Sequence, residues 1–239
     1  MSQTFEFQYR TVLKEVGLAE YAVGALAKQF ERLTELLTEW NRKTNLTAIT
    51  DLEGILRRHF ADSLLAAQFL PEGSQVIDVG TGGGFPSLPL ALVRPDLQIT
   101  ALDSVEKKLE FVAYAAQVLS LRHLSCRVGR AEVLGRDPMF REQFDCAVSR
   151  AVARMDLLAE LCLPLVRPGG SLVSLKGPEG PAELQQAAGA VRILGGSFEF
   201  PRCFSLGPVG ERYLLICRKI AATPSIYPRS YARMKRKPL

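Results

Sequence analysis

The stretch VIDVGTGGGFPS, residues 76–87, constrains the fold more than any other feature of the chain. Its apolar start suits a buried strand, and glycines then occupy positions 80, 82, 83 and 84. A glycine-rich turn directly after a strand is typical of α/β folds that hold a nucleotide-like ligand. We therefore expect a doubly wound parallel sheet with a ligand site at the carboxyl ends of its strands.

Alternating strand-like and helix-like segments extend this expectation from residue 75 onwards. Apolar patterning predicts parallel strands at 75–79, 98–103, 123–128, 145–149 and 171–176. It predicts the intervening helices at about 86–93, 104–119, 154–164 and 181–192. Two further apolar segments, 197–203 and 212–219, predict an antiparallel hairpin at the sheet edge.

The first seventy residues show helical spacing instead. Apolar residues recur at three- and four-residue steps over 26–40, and a second helical stretch covers about 51–69, with Asp51 as its N-cap. We therefore predict a helical extension over 1–72, a Rossmann-like domain over 73–219 and a basic tail over 220–239.

The positive charge of the chain is concentrated in that tail. The net charge is +5, but residues 218–239 hold seven Lys or Arg and no acid, which leaves 23 basic and 25 acidic residues in 1–217. A basic block with Tyr227 and Tyr231 interleaved suits a polyanion backbone and stacked bases, although a merely solvated tail is an alternative. The predicted nucleic-acid contacts are Arg229, Arg233, Lys235, Arg236 and Lys237.

Composition also limits the class of protein. The start of the chain does not resemble a signal peptide, and no uncharged apolar run reaches the length of a membrane span. The five cysteines are widely spaced without a CxxC pair, and neither histidine is in ligand spacing with a cysteine. We expect a cytoplasmic monomer with reduced thiols, no metal site and no membrane association.

Two cofactors compete for the glycine loop. A dinucleotide fold requires G-x-G-x-x-G, but the last glycine position holds Phe85, which disfavours an NAD-linked oxidoreductase. The G-x-G-x-G formed by Gly80, Gly82 and Gly84 is typical of S-adenosyl-L-methionine (AdoMet) methyltransferases. Asp78 would then lie beside the methionine amino group, and the glycines would let the backbone approach the ligand. The alternative is a tight turn without a ligand.

An acid and a later motif fit the rest of such a cofactor. Asp103 ends the second strand about 23 residues after Gly80, the spacing of a ribose-binding acid. With Ser104 beside it, Asp103 can bind the ribose hydroxyls, or it can cap the next helix. Ala131 and Glu132 follow the third strand in GRAE, where they would read the adenine edge.

The target of methylation follows only by exclusion. The chain has no N/D-P-P-Y/F motif after the fourth strand and no Pro-Cys dipeptide, so it lacks the motifs for exocyclic amines and for covalent attack on carbon. Targets with a free lone pair remain, and guanine N7 is one of them. Exclusion leaves open another RNA, a small molecule, a protein, or a non-catalytic RNA-binding role.

A set of motifs in fixed order makes the resemblance specific. The chain resembles the bacterial RsmG family, also called GidB, through NLTAIT (45–50), RHFADSL (58–64), DVGTGGGFPSLPLAL (78–92), LDSVEKKLEF (102–111), GRAE (129–132), SRAVA (149–153), LKG (175–177) and the YPR…KRKPL tail. The resemblance implies a class I AdoMet methyltransferase fold and methylation of a guanine N7 in 16S ribosomal RNA near the decoding site. It implies 16S rRNA or the 30S subunit as the partner. One departure is Ser87, where the family usually has glycine.

The resemblance also implies roles for individual residues. It places Gly80, Phe85, Asp103, Ala131, Glu132 and Arg150 against the cofactor; Arg150 can instead contact an RNA phosphate. His59 and Asp62 either line the target pocket or hold their helix to the domain. Lys176 ends the fifth strand, where it can meet RNA phosphate or simply be solvated.

Overall fold

A computed structural model describes residues 3–239, which form one eight-stranded sheet with helices on both faces. The strands are β1 (Gln75–Val79), β2 (Gln98–Asp103), β3 (Leu124–Val128), β4 (Phe144–Arg150), β5 (Val166–Lys176), β6 (Gly196–Phe198), β7 (Arg202–Ser205) and β8 (Glu211–Lys219). Their order is β3-β2-β1-β4-β5-β8-β6, and β7 also pairs with β8. The first five strands are parallel and β8 is antiparallel. Successive strands are added to one side of β1 up to β3 and to its other side from β4 onwards. Such folds bind ligands at this switch point between β1 and β4.

The helices are α1 (Gln3–Glu15), α2 (Gly24–Thr44), α3 (Leu52–Gly54), α4 (Asp62–Leu64), α5 (Ser87–Val93), α6 (Glu106–Val118), α7 (Ala131–Leu134), α8 (Met155–Cys162), α9 (Gly180–Ile193) and α10 (Tyr231–Arg236). Alternate residues of the strands belong to two apolar cores, one on each face of the sheet, because successive side chains of a strand point to opposite faces. Val76 and Val148 join the core formed with α1, α2, α5 and α6. Ile77 and Ala147 join the core formed with α8 and α9.

The N-terminal helical stretches are present with one irregularity. The predicted buried face of α2 is confirmed, with Phe30, Leu33 and Leu37 inside the core. Asp51 is an N-cap, since its Oδ1 accepts a hydrogen bond from the Gly54 amide at 2.7 Å. The predicted helix over 51–69 is interrupted, however, because a π-helix at Ile55–Ala61 joins α3 to α4. Such segments are rare and concentrate at functional sites.

The C-terminal edge differs from the predicted simple hairpin. The segment 197–203 forms two short strands, β6 and β7, rather than one. Pro201 lies between them, and proline cannot donate a ladder hydrogen bond. β8 is not the outermost strand, because it pairs with β5 on one side and with β6 and β7 on the other.

The basic tail packs against the domain. The Arg141 guanidinium donates to the carbonyl oxygens of Thr223 and Tyr227, and Met234 of α10 is fully buried. Lys219 is also buried and donates to the Leu163 carbonyl at 2.7 Å. The position of α10 is therefore fixed relative to the sheet. Over residues 3–239, no helix combines the length and apolar character that a membrane crossing requires.

Candidate active site

A cleft of about 470 Å³ opens at the carboxyl ends of β1, β2 and β4. We call it the cofactor cleft. It brings together every predicted cofactor residue except Asp78, namely Gly80, Gly82, Phe85, Asp103, Ser104, Ala131, Glu132 and Arg150. His59 also lines it. Residues as far apart in sequence as His59 and Arg150, 91 positions, therefore share one site, because parallel strands end at a common edge.

Gly80 and Gly82 of the loop are glycines for different steric reasons. Gly80 has φ +76°, and a Cβ there would collide with the Val152 side chain. Gly82 has φ +57°, yet nothing lies within 4 Å of the Cβ it lacks. Because Gly82 lines the cleft, this open space lies where a ligand can approach the backbone. The loop therefore fits a cofactor that needs close backbone contact.

Asp103 joins the end of β2 to the glycine loop. Its Oδ2 accepts a hydrogen bond from the Gly82 amide at 2.9 Å, and its Oδ1 accepts one from Val105 at 2.9 Å. Val105 is the N-cap residue of α6, and its own side chain makes no capping hydrogen bond. Asp103 is therefore not the N-cap residue, although its Oδ1 binds the amide directly before the helix. A carboxylate offers about four lone-pair sites, so two backbone bonds leave acceptor capacity facing the cleft.

Asp78 corrects one expectation. Its carboxylate is fully buried inside the domain and does not line the cofactor cleft. Oδ2 accepts hydrogen bonds from the Ser87 amide and hydroxyl at 3.1 and 2.6 Å, which fastens the start of α5 to β1. Burial raises the pKa of Asp78 to about 6, although the bonds from Ser87 oppose this. Ser87 thus supplies a buried partner for this acid.

His59, Phe85 and Arg150 form a compact group at the bottom of the site. The His59 ring stacks on Phe85 with ring centroids 4.3 Å apart, and the Arg150 guanidinium lies 5.3 Å from the Phe85 centroid. Arg150 Nη2 is 3.1 Å from His59 Nδ1, and Thr47 Oγ1 is 2.8 Å from His59 Nε2. Since guanidinium only donates, Nδ1 is the acceptor, and the ring proton sits on Nε2. Burial and the charge of Arg150 lower the pKa of His59 to about 3, so the ring is neutral.

A second cleft of about 730 Å³ adjoins the first. We call it the charged cleft. It shares His59, Arg150, Ala151 and Val152 with the cofactor cleft, and these residues form the wall between the two. The rest of its lining carries charges of both signs, from Arg58, Asp62, Arg154, Lys176, Glu183 and Arg212.

Two of these charged residues are fixed by ion pairs. Asp62 Oδ2 lies 3.2 Å from Arg150 Nη1, and Asp62 Oδ1 lies 3.4 Å from Arg212 Nε. Lys176 Nζ donates to the Ala153 carbonyl at 2.6 Å and to Glu183 Oε2 at 2.7 Å. Lys176 is thus held in the wall of the charged cleft, and its predicted place in the target pocket, with a positive charge for RNA phosphate, stays a prediction.

The predicted RNA contacts of the tail divide into two kinds. Arg229 is not a free cation, because it makes several hydrogen bonds to the buried carboxylate of Glu160, the shortest at 2.6 Å. This corrects its predicted RNA-binding role. The other four predicted contacts are exposed on or beside α10, namely Arg233, Lys235, Arg236 and Lys237.

Several residues that line the cofactor cleft were not predicted from the sequence. Tyr231, at the start of α10, lines it, as do Leu46, Lys108 and Arg130. Tyr231 stood out only as an aromatic residue in a basic block, since nothing local to the tail indicates that it docks beside the glycine loop. No cluster of three or more potential metal ligands occurs among residues 3–239.

Solved structures share this fold at low sequence identity. TrmN from Thermus thermophilus matches with a TM-score of 0.51 and 22% identity over 69% of this chain and 53% of that one. TYW2 from M. jannaschii, solved in complex with AdoMet, matches with a TM-score of 0.52 and 11% identity over 65% and 72%. The [4+2]-cyclase SpnF matches with a TM-score of 0.56 and 17% identity over 81% and 95%. The sheet order and the cleft at its switch point define the class I, Rossmann-like AdoMet methyltransferase fold.

Sequence comparison narrows the class to a family. The family model GidB, described as rRNA small subunit methyltransferase G, matches residues 26–207. A protein named ribosomal RNA small subunit methyltransferase G from Exiguobacterium sibiricum is 44% identical over 97% of this chain and 98% of its own length. The protein of that name from Moorella thermoacetica is 46% identical over 87% and 88%. The chain belongs to the GidB family, which confirms the resemblance in the motifs, and it is an AdoMet-dependent methyltransferase.

Proposed function

We propose that this protein methylates N7 of one guanine in 16S ribosomal RNA. Membership of the family described as rRNA small subunit methyltransferase G supports the substrate class. The observation that carries the proposal is the pair of adjoining clefts that share the wall formed by His59 and Arg150. One cleft suits AdoMet and the other has the size and charge for a nucleotide, so the two ligands would meet at that wall.

We propose that the cofactor cleft holds AdoMet through residues at the strand ends. Asp103 would accept hydrogen bonds from the ribose hydroxyls, and Ser104 is exposed beside it. Ala131 and Glu132 begin α7 and would flank the adenine. Gly80 and Gly82 would let the backbone meet the methionine end, with Phe85 and Arg150 at the floor. When bound, AdoMet supplies an electrophilic methyl group on a positively charged sulfur.

Guanine N7 suits the protonation state of this site. N7 carries no proton, so its lone pair takes the methyl group without a general base. His59 is the titratable group on the shared wall, and both of its ring nitrogens are already hydrogen-bonded to Thr47 and Arg150. The residues of the wall therefore position the reacting atoms and exclude water, which can account for a large part of a rate enhancement.

Methyl transfer to purified 30S particles and to free 16S rRNA tests the function. The protein is incubated with each RNA and with AdoMet labelled in the methyl group, and the RNA is digested to nucleosides. We expect label in 7-methylguanosine at one site. Label in another nucleoside, or none in either RNA, would reject the proposal. The comparison of the two substrates also identifies the form of RNA that is used.

The rival functions give different results in the same experiments. An NAD-linked oxidoreductase would gain thermal stability from NAD rather than from AdoMet, and a non-catalytic RNA-binding protein would bind RNA without transferring label. We further propose a cytoplasmic monomer. Light scattering coupled to size exclusion should give the mass of one chain, and the mass of a dimer would contradict this.

A further inference from the structure

One carboxylate in the charged cleft has an oxygen atom that is available to accept a hydrogen bond from a ligand. Glu183 of α9 lines this cleft, and 20% of its side chain is exposed. Its Oε2 accepts hydrogen bonds from Lys176 Nζ at 2.7 Å and from the Met155 amide at 2.8 Å. Within residues 3–239, Oε1 has no hydrogen-bond partner. The two bonds to Oε2 fix the carboxylate in place and leave Oε1 available to a ligand.

The other acid of the charged cleft is already engaged. Asp62 Oδ2 accepts a hydrogen bond from Arg150 at 3.2 Å. Oδ1 lies 3.4 Å from Arg212 Nε in an ion pair that is not a hydrogen bond, and it is buried, since only 7% of the side chain is exposed. Burial raises the pKa of Asp62, while the two arginines oppose this shift. Asp62 therefore serves to orient Arg150, and Glu183 is the acid that can meet an incoming base.

The position of Glu183 relative to the cofactor cleft selects the edge of the base that it would read. His59, Arg150, Ala151 and Val152 separate the clefts, whereas Glu183 lines the charged cleft alone. A purine with N7 at the shared wall directs N1–H roughly along that wall and its 2-position away from it, into the charged cleft. In guanine the Watson–Crick edge presents the N1–H and the N2 amino group, which are both donors.

We propose that Glu183 makes the enzyme specific for guanine by accepting hydrogen bonds from N1–H and N2–H of the target base. This inference rests on the proposed guanine-N7 activity. An ionised carboxylate only accepts hydrogen bonds, so it matches guanine and faces a lone pair at N1 of adenine. A site that hydrogen-bonds one substrate rejects an analogue without the donor far more strongly than a purely apolar pocket does.

Replacing the target guanosine by inosine isolates the contact to the amino group. Inosine keeps N7 and N1–H but lacks the N2 amino group. After the methylated nucleotide has been mapped, 30S particles are reconstituted with 16S rRNA that carries either guanosine or inosine there. Glu183→Gln keeps the side-chain shape and removes the charge. Glu179→Gln is the matched control, since Glu179 is exposed on the same segment and does not line either cleft.

The ratio of kcat/KM for guanosine to that for inosine is the measurement. We expect the wild-type protein and Glu179→Gln to prefer guanosine by about ten-fold or more, the scale of one charge-assisted hydrogen bond. Glu183→Gln should bring the ratio close to one. Loss of folded protein lowers both rates equally and leaves the ratio unchanged, so a structural role alone does not reproduce this result.

Two results would overturn the assignment of Glu183. One is equal methylation of guanosine and inosine by the wild-type protein. The other is an unchanged preference in Glu183→Gln. Failure of the wild-type protein to methylate guanine N7 at all would instead reject the proposed function, and this inference with it, so the two failures are distinguishable.

Discussion

At the residue scale, burial separates two acids that look alike in sequence. Asp78 and Asp103 both lie near the carboxyl ends of neighbouring strands. Asp78 is sealed inside the domain and bonded to Ser87, whereas Asp103 lines the cofactor cleft. A sequence gives the position of each carboxylate along its strand. Which of them reaches a ligand depends on how the loop folds over the strand end.

Replacing Asp103 by alanine should weaken AdoMet binding. Loss of hydrogen bonds to a charged acceptor predicts an affinity lower by roughly ten- to a hundred-fold. Titration calorimetry with AdoMet measures it directly. Glu110→Ala is the control, because Glu110 is an exposed acid on α6 outside the cleft, and its variant should bind AdoMet as the wild type does. Equal affinities for the Asp103 variant and the wild type would refute the assignment.

The lowered pKa of His59 predicts how the free energy of unfolding depends on pH. Its pKa falls from 6.5 to about 3 on folding, so between those values the unfolded chain binds a proton that the folded protein does not. The contribution of His59 to the free energy of unfolding therefore has its full value above pH 6.5 and declines as the pH falls below that value. Relative to His59→Asn, the wild type should lose about 2 kcal/mol of unfolding free energy between pH 7.5 and pH 5.

Denaturant unfolding of both proteins at several pH values provides the measurement. The comparison with the variant matters because Asp78 acts in the opposite direction. Its pKa rises from 3.8 to about 6 on folding, so its contribution declines as the pH rises through that window. Asp78 is present in both proteins and cancels in the difference. A difference that does not change with pH would show that His59 titrates normally in the folded protein.

At the element scale, local periodicity predicted the central sheet well. β1 and β2 have the predicted bounds, and the other parallel strands overlap their predictions, because continuous apolar runs between turn residues mark buried strands. The π-helix at Ile55–Ala61 carries no comparable signal, since Leu52, Leu56, Phe60 and Leu64 recur at the four-residue steps that also suit an α-helix. The docking of α10 was also not predictable, because it depends on contacts such as that between Arg229 and Glu160, 69 residues apart.

The Arg229–Glu160 pair should therefore act on stability. The side chains of Arg229 and Glu160 are 12% and 1% exposed. Arg229→Ala removes the guanidinium that neutralises the buried Glu160 carboxylate and leaves it only the backbone amide of residue 229 as a partner from this pair. We expect a loss of about 3 kcal/mol in the free energy of unfolding. Arg233→Ala on exposed α10 should change it by no more than about 0.5 kcal/mol. Chemical denaturation distinguishes the two, and similar effects for both variants would mean that Arg229 is as solvated as Arg233.

At the scale of the whole molecule, the tail connects charge to the active site. Residues 1–217 are slightly acidic overall, whereas α10 carries exposed Arg233, Lys235 and Arg236. The same helix begins at Tyr231, which lines the cofactor cleft. The basic surface that suits an RNA backbone is thus adjacent to the site of chemistry, instead of being a distant tether. Phosphate contacts at this surface would fix the orientation of bound RNA relative to the cofactor cleft.

Replacing Arg233, Lys235, Arg236 and Lys237 together by glutamine should weaken RNA binding in a salt-dependent way. If all four contact phosphates, the slope of log K against log salt concentration becomes shallower by about 3. AdoMet affinity should not change, because Tyr231 and Met234 are retained. The charge-matched control replaces Lys14, Lys28, Arg42 and Lys43, exposed cations of α1 and α2 that adjoin neither cleft. Binding of 16S rRNA over a salt series measures both slopes. Equal slopes for the two variants would show that the tail adds only net charge, whereas a change confined to the tail variant would establish α10 as the RNA contact.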